Sequence, residues 1–254
     1  MWAKDRHHQI ILLLSARGQV SNELLIRELQ VSRETIRRDI LELEAGGQLR
    51  RVHGGVVAVD VAPEPLFQVR LQSSAAEKQR IGIAAAKLIE PGMTCVIDTG
   101  STTLAFATAL AGMPGISVIT NSLDVAMIFW RARPRAEVIL LGGRVNDDVP
   151  GTYGEQAVSA MQHFLPDVAI LSPVAIAADR GATNYSLGEA DLGRVMIERA
   201  AKLILLADHL KIGKTSRMRL CACDEVDVLV TDHGADPTEV EAMKNNGIGE
   251  ILLA

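Results

Sequence analysis

Cysteine is scarce in this chain of 254 residues: Cys95, Cys221 and Cys223 make an odd number without C-x-x-C spacing. That excludes a disulfide framework and offers no zinc-ligand pattern, so Cys221-Ala-Cys223 reads as packing, and neither a metal nor a cofactor is expected. Long apolar runs are missing too. None approaches the ~18 residues of a membrane span, and the start MWAKDRHHQIILLLSARG has no small-residue cleavage site of a secretory signal. The expectation is a cytoplasmic protein with no membrane partner. An excess of basic charge is also absent, the formal net charge being −5. Any nucleic-acid binding must therefore be argued from where the arginines stand. What is present, 48% hydrophobic and 22% charged residues, suits a soluble globular protein of one large domain or two unequal ones.

The charge is unevenly spread. Residues 1–59 hold 9 Lys/Arg and 7 Asp/Glu, a balance of +2, whereas the remaining 17 basic and 24 acidic residues give −7. Within the basic part, Ile10, Ile11, Leu13 and Leu14 recur at helical spacing until Gly18 stops them. Ser21 is a candidate N-cap for a second helix carrying Leu24, Leu25, Ile26 and Leu29. Ser32 caps a third, with Val31 and Ile36 at the spacing of a hydrophobic staple. The core face of that third helix is Ile36, Ile40 and Leu43, leaving Glu34, Thr35, Arg37 and Arg38 on or near the other face. QLRRVHGGVV then reads as a short β-hairpin turning at Gly54-Gly55.

Three helices and a hairpin describe a winged helix-turn-helix, whose third helix enters the DNA major groove while the wing follows a phosphate backbone. The planar guanidinium fork suits guanine edges and phosphates alike. Arg33, Thr35 and Arg38 are therefore assigned to base edges, and Ser32, Arg37, Arg50, Arg51 and His53 to phosphates. The competing reading gives these arginines only solubility, through pairs with Glu34, Asp39 and Glu42 at neighbouring turns. The capped turn and glycine-tipped hairpin favour double-stranded DNA as the partner.

Pro63 and Pro65 punctuate a stretch without helical period before Glu77, which sets domain boundaries at 1–59 for the DNA-binding part, 60–76 for a linker and 77–254 for a larger domain. There, TCVID, ISVIT, AEVILL, DVAILS, AKLILLAD and DVLVTD look like buried strands, with EILLA a possible last one, and helix-length segments lie between most of them. The class is thus α/β with a mostly parallel sheet, and ligands are expected beyond the strand C-termini. One such end, Asp98-Thr99-Gly100-Ser101-Thr102-Thr103, opens a helix and can cradle an anion with backbone N–H groups and hydroxyls. The loop is neither a Walker sequence nor a dinucleotide fingerprint, so nucleotide hydrolysis and NAD chemistry lose support. Asn121, Gly142-Gly143, Asp208 and Lys211 fall at other strand ends, where a lysine could neutralise phosphate.

The TIRRD and R-x-HGG elements of VSRETIRRDILELEAGGQLRRVHGGVV resemble the N-terminal signature of the DeoR family of bacterial transcriptional regulators. Phe67 and Arg70 with Glu77-Lys78 resemble its F-x-x-R and E-K elements, and DTGSTT, ITNSLDVA, LGGRV, YGEQA, GEADLGRVM, ADHLKIGK and LVTD resemble successive blocks of its effector domain. That resemblance implies a fold similar to sugar-phosphate isomerases and a repressor whose operator affinity responds to a phosphorylated sugar or related metabolite. It also implies a homodimer or homotetramer, and a pocket built from Asp98, Gly100, Ser101, Thr102, Thr103, Asn121, Glu189 and Lys211. Gly142 joins them from its strand-end position. SPVAIAADRGATNYSLGEA departs from the family's glycine-rich pattern, with Pro173 straight after Ser172, so a different pocket wall is expected there. The rival reading is a sugar-phosphate isomerase-like enzyme carrying a DNA-binding module, with Asp98, Glu155 or Glu189 as general base. No recognisable catalytic motif supports it, and no catalytic residue is assigned.

Overall fold

The computed structural model describes residues 3–254 except Gly18, His53, residues 58–63, Arg135 and Asp147. The chain divides into two units, Met1–Ala62 and Pro63–Ala254.

The first unit runs α1 (Ala3–Arg17), β1 (Gln19–Ser21), α2 (Asn22–Leu29), α3 (Arg33–Ala45), β2 (Arg50–Val52) and β3 (Gly55–Val57). Both expected serine caps form: Ser21 Oγ accepts from Leu24 N at 3.2 Å, and Ser32 Oγ from Thr35 N at 3.1 Å. Each satisfies an amide that a helix start leaves without a partner. Between the helices, Gln30 turns the chain at φ 52. Ile10, Leu14, Leu25, Ile36, Ile40 and Leu43 are buried together with Leu49 and Val56. The expected stop at Gly18 lies outside the described residues.

Two features differ from expectation. The hairpin is a three-stranded antiparallel sheet of order β1-β3-β2, so Ser21 is at once a strand end and a helix cap. Gly55 belongs to β3, paired with Val52 on one side and Ser21 on the other, and only Gly54 of the glycine pair has positive φ, at 80°. Gly55 is needed for proximity: a β-carbon there would stand 2.4 Å from the Val20 carbonyl oxygen.

The second finding is a buried ion pair. Asp39, placed by sequence among the exposed partners of the arginines, is 1% exposed and holds Arg6 of α1 at 2.7 Å (Nε to Oδ2) and 2.8 Å (Nη2 to Oδ1). His7 Nε2 lies 3.2 Å from Oδ1. Burial pushes the Asp39 carboxyl up, but the hydrogen bonds and charge of Arg6, with His7, outweigh it and hold it below the usual range.

The second unit continues with α4 (Phe67–Gln72) and α5 (Ala75–Ala86), then β4 (Thr94–Ile97), α6 (Ser101–Leu110), β5 (Ser117–Thr120), α7 (Leu123–Arg131) and β6 (Glu137–Leu140). It proceeds through β7 (Arg144–Val145), β8 (Thr152–Tyr153), α8 (Glu155–Met161), β9 (Val168–Leu171), β10 (Ala175–Ala177), β11 (Gly181–Asn184), α9 (Leu187–Arg199) and β12 (Leu203–Leu206). β13 (Met218–Cys221), β14 (Val228–Thr231), α10 (Pro237–Asn245) and β15 (Glu250–Leu253) complete it. Residues 67–76, expected to be linker, are instead largely helical, since a six-residue helix with one buried apolar side chain, Phe67, is too short to show a period.

All seven expected strands form one parallel sheet of order β15-β14-β12-β9-β4-β5-β6. Alternate residues of each strand feed two apolar clusters. Cys95, Ile97, Ile170, Ile204 and Val230 pack with Ile81, Phe106 and Phe129 of α5, α6 and α7. Val96, Leu171, Leu205 and Leu229 pack with Met161, Met196 and Met243 of α8, α9 and α10. Strand order reverses between β4 and β9, the place where such sheets open a crevice at their C-terminal edge. The divergent SPVAIAADRGATN stretch builds β10 and β11, which with β13 make an antiparallel sheet that sequence reading did not anticipate. Cys221 and Cys223 are buried, and all three cysteines are free thiols. Among the described residues no helix is long and apolar enough to cross a membrane.

Removing one partner of the buried pair leaves a charge without compensation. Asp39→Asn should cost the first unit ~3 to 5 kcal/mol in urea unfolding, while an Arg6→Met/Asp39→Leu double variant should recover most of it. Because the folded Asp39 value is depressed, the pair's contribution is full above the ordinary carboxylate range and is lost as pH falls through the depressed value. Hydrogen exchange of α1 and α3 amides at pH 7 and pH 3 checks both statements.

Candidate functional site

The first unit presents α3 with its cap in place. Ser32 and Thr35 are tied to one another, Oγ to Oγ1 at 2.8 Å, in addition to the cap bond, so these hydroxyls fix the first turn of the helix. Arg33, Arg37, Arg38, Arg50 and Arg51 are all exposed. Their side chains differ in engagement. Arg37 forks onto Glu34, with Nη2 to Oε1 at 2.8 Å and Nε to Oε2 at 3.1 Å, and Arg51 Nε pairs with Glu44, whose Oε1 also accepts the Arg51 amide at 3.0 Å. Arg33, Arg38 and Arg50 make no side-chain hydrogen bond or ion pair among the described residues. Local pairing thus holds for Arg37 and Arg51 and leaves the other three guanidinium groups open to an external anion or base edge. His53 lies outside the described residues.

In the second unit, the sheet edge gathers most of the residues singled out in the sequence. Asp98, at the end of β4, is 4% exposed, and its Oδ1 accepts the Thr99 amide at 2.7 Å. Burial raises its carboxyl to about 7, against the opposing hydrogen bonds from Thr99 and Asn121 and the charge of Lys211. Glu189, in the first turn of α9, is raised to about 8 by burial first and then by the charges of Glu64 and Asp98. Lys211 Nζ donates to Ser172 Oγ at 2.8 Å and to the Pro173 carbonyl at 2.7 Å, and burial lowers its ammonium to about 8. Asn121 Nδ2 donates to Thr152 O at 3.2 Å.

The Asp98–Thr103 loop divides its hydroxyls. Gly100 is the N-cap of α6, and Thr103 Oγ1 donates to its carbonyl at 3.0 Å, which is ordinary helix-start bonding. Ser101 is buried in the same turn. Thr102 Oγ1 and Asn121 Oδ1 are different: both are buried without a hydrogen-bond partner among the described residues, a condition that folded proteins keep rare. Gly142 is not brought to the cluster. It is exposed, with nothing within 4 Å of where a β-carbon would stand, whereas Gly143 abuts Tyr153, a β-carbon at Gly143 falling 2.6 Å from its carbonyl oxygen.

A narrow pocket with about 10 Å³ of room for water, partly open to solvent, lies at this edge, lined by Glu64, Arg70, Asp98, Thr99, Val149, Ser172, Val174, Asn184 and Glu189. Sequence reasoning missed several of these. Ser172 ends a strand on the same edge as Asp98 and was open to the same logic. Val174 and Asn184 come from the divergent stretch, Asn184 Oδ1 accepting the Val174 amide at 3.2 Å. Tyr153, whose hydroxyl meets Thr99 Oγ1, and Glu64, which pairs with Arg70, carry no local signal.

The raised carboxyls have a measurable consequence. A carboxyl raised in the folded state contributes stability fully below its unfolded value and loses that contribution as pH rises through the folded value. Asp98 and Glu189 should therefore make the second unit less stable at pH 7.5 than at pH 5. Glu189→Gln should remove up to ~1.4 kcal/mol per pH unit of that slope, read by thermal unfolding across this range.

With this geometry established, relatives agree on both halves. Residues 6–61 match the DeoR-like helix-turn-helix domain, and residues 73–233 the DeoR C terminal sensor domain. The HTH-type transcriptional repressor CsqR of Escherichia coli K12 is 32% identical, covering 98% of this chain and 94% of its own. The glycerol-3-phosphate regulon repressor of Haemophilus influenzae is 34% identical, over 89% of this chain and 88% of its own. A solved ribose 5-phosphate isomerase A from Methanocaldococcus jannaschii covers 57% of this chain and 56% of its own, at 16% identity and a TM-score of 0.41, a likeness too slight to build on. The two domain matches fall on the capped helix-turn-helix unit and on the parallel-sheet unit in turn, and the chain belongs to the DeoR family of transcriptional regulators.

Proposed function

We propose that the protein represses a carbohydrate or related metabolic operon by binding double-stranded operator DNA through α3 and the β2–β3 wing, and that a phosphorylated sugar or related metabolite bound at the sheet edge changes its operator affinity. The observation that carries this reading is the pair of buried, unpartnered acceptors and donors at that edge, Thr102 Oγ1 and Asn121 Oδ1. Asp98, Glu189 and Lys211 gather at the same sheet edge, in a chain whose other unit is a DNA-reading fold. A hydroxylated anion supplies partners of both kinds: hydroxyls for Asp98, Asn121 and Glu189, and an anionic group for Lys211 and the hydroxyl loop formed by Gly100, Ser101, Thr102 and Thr103. Relatives named as repressors support regulation over catalysis, and the isomerase-like alternative is not favoured. A single winged helix covers few base pairs, so a homodimer or homotetramer on repeated half-sites is part of the proposal.

On DNA, Arg33, Thr35 and Arg38 are assigned to base edges, and Ser32, Arg37, Arg50, Arg51 and His53 to phosphates. Among the phosphate set, Arg37 and Arg51 must first leave Glu34 and Glu44, which makes Arg50 the least encumbered. The test is operator titration by fluorescence anisotropy at several salt concentrations. Arg38→Ala should cost ~1 to 3 kcal/mol and relax preference at one base pair, whereas Arg50→Ala should weaken all sequences alike and reduce the salt slope by about 1. Identical profiles would defeat the division of roles. For the ligand, a panel of sugar phosphates at ~100 times the dissociation constant should add ~2.7 kcal/mol to stability. Thr102→Val should lose ~1 kcal/mol of that ligand's binding without changing ligand-free operator affinity.

A further inference from the structure

The pocket contains an unexpected occupant. Glu64, at the start of the second unit, pairs through Oε1 with Arg70 Nη1, and both side chains are largely buried, 13% and 17% exposed, on the pocket wall. The segment carrying them is fastened at two further points: the Phe67 amide donates to Asp148 at 3.0 Å, and Lys78 Nζ donates to the carbonyls of Arg70 and Ser73 while lying 3.9 Å from Asp208. Lys211, the cation expected to receive an anion, is already engaged with Ser172 and Pro173. Among the described residues, the Arg70 guanidinium is engaged with groups of its own segment and with Asp148 at 4.0 Å, together with the Phe67 ring, over which its guanidinium carbon lies 5.4 Å from the centroid.

The pocket also has too many acids to accept another. Glu64, Asp98 and Glu189 share one wall with one guanidinium, and Glu189 is raised by the charges of the other two. An incoming anion must therefore replace a carboxylate or neutralise several. Asp98 is anchored to the Thr99 amide, and among the described residues Glu64 is the pocket carboxylate paired with the guanidinium, so it is the one an incoming anion replaces. Glu64 precedes the first helix of the unit and is held by its pair with Arg70. Its carboxyl is raised chiefly by burial, so departure into water restores hydration that the pocket denies it.

We propose that Glu64 is a built-in competitor of the effector: its carboxylate stands on Arg70 where the anionic group of a hydroxylated anion binds, and the effector enters by exchange, the Glu64 carboxylate leaving for water while Arg70 stays in place. This rests on the reading of the sheet edge as a ligand site given above, moves the anionic group from Lys211 to Arg70, and names the residue that the ligand displaces. Exchange lowers the apparent affinity by the fraction of molecules whose Glu64 carboxylate is out, as any conformational pre-equilibrium does.

Inorganic phosphate tests this in the full-length protein, with thermal stabilisation as one readout and hydrogen exchange of the α6 and α9 amides as the other. In Glu64→Gln the half-saturating phosphate concentration should fall about tenfold or more, and Arg70→Gln should abolish the response in both backgrounds. In the wild type, phosphate should slow exchange in α6 and α9. Unchanged phosphate affinity in Glu64→Gln, or α6 and α9 amides unaffected by phosphate, overturns the proposal. Loss of the response in Lys211→Met with its retention in Arg70→Gln overturns it too, but preserves an anion site at the hydroxyl loop. No response in any variant, Glu64→Gln included, overturns the ligand reading as well. Should Glu64→Gln fold poorly, Glu64→Ala read by exchange in the wild-type-like remainder of the sheet gives the same comparison.

Discussion

All seven strands of the large sheet run in one direction, so their C-terminal ends, and every loop that follows them, lie along a single edge. Both faces are sealed by helices and two apolar clusters, which leaves that edge as the place where charge can be gathered. The reversal of strand order between β4 and β9 then splits the loops apart and opens a crevice there. Asp98 from one side of the reversal and Ser172 from the other consequently line one pocket although they are far apart in sequence. The hydroxyl loop, Asn121, Ser172 and Lys211 take their positions from this constraint.

The charges gathered there do not balance locally. Burial raises the Asp98 and Glu189 carboxyls and lowers Lys211, so each group is held away from its preferred ionisation state. A pocket in which acids are kept partly protonated offers hydrogen-bond donors as well as acceptors to a polyhydroxylated ligand. The first unit solves its charge problem in the opposite way: Arg6 and Asp39 are buried as a matched, doubly hydrogen-bonded pair that fixes α1 against α3 and leaves neither free for outside partners. One unit buries charge to hold a helix still; the other buries it in a state that a ligand can relieve.

What could be read in the sequence follows from the range of each interaction. Helix caps such as Ser21 and Ser32 act within three residues and were legible, as were the seven strands, whose apolar runs reflect burial on both faces. The positions of Asp98, Asn121 and Lys211 followed because parallel strands bring their ends together whatever their order. Contacts closed over long distances left no such trace: Arg6 with Asp39, β1 with β3, or Phe67 with Asp148. Nor did the glycine pair at 142 and 143 say which member approaches its neighbour, since that depends on Tyr153. The charge pattern that suggested exposed arginine pairs was right for Arg37 and misplaced Asp39, because a carboxylate's partner is set by the tertiary fold and not by its helix alone.

The central position of β4 also governs how the chain must be made. Cys95, Val96 and Ile97 pair with Val118, Ile119 and Thr120 of β5 on one side and with Val168, Ala169 and Ile170 of β9 on the other. Until β9 leaves the ribosome, the growing chain exposes the unpaired flank of β4, an apolar edge of the sort that recruits other chains. The DNA-reading unit closes its contacts within residues 1–62 and suffers no such wait. A message broken between β8 and β9 therefore yields a finished DNA-reading head on a half-sheet that sticks to its neighbours, so such breaks are better placed before Pro63, where the head ends and no strand is left without its partner.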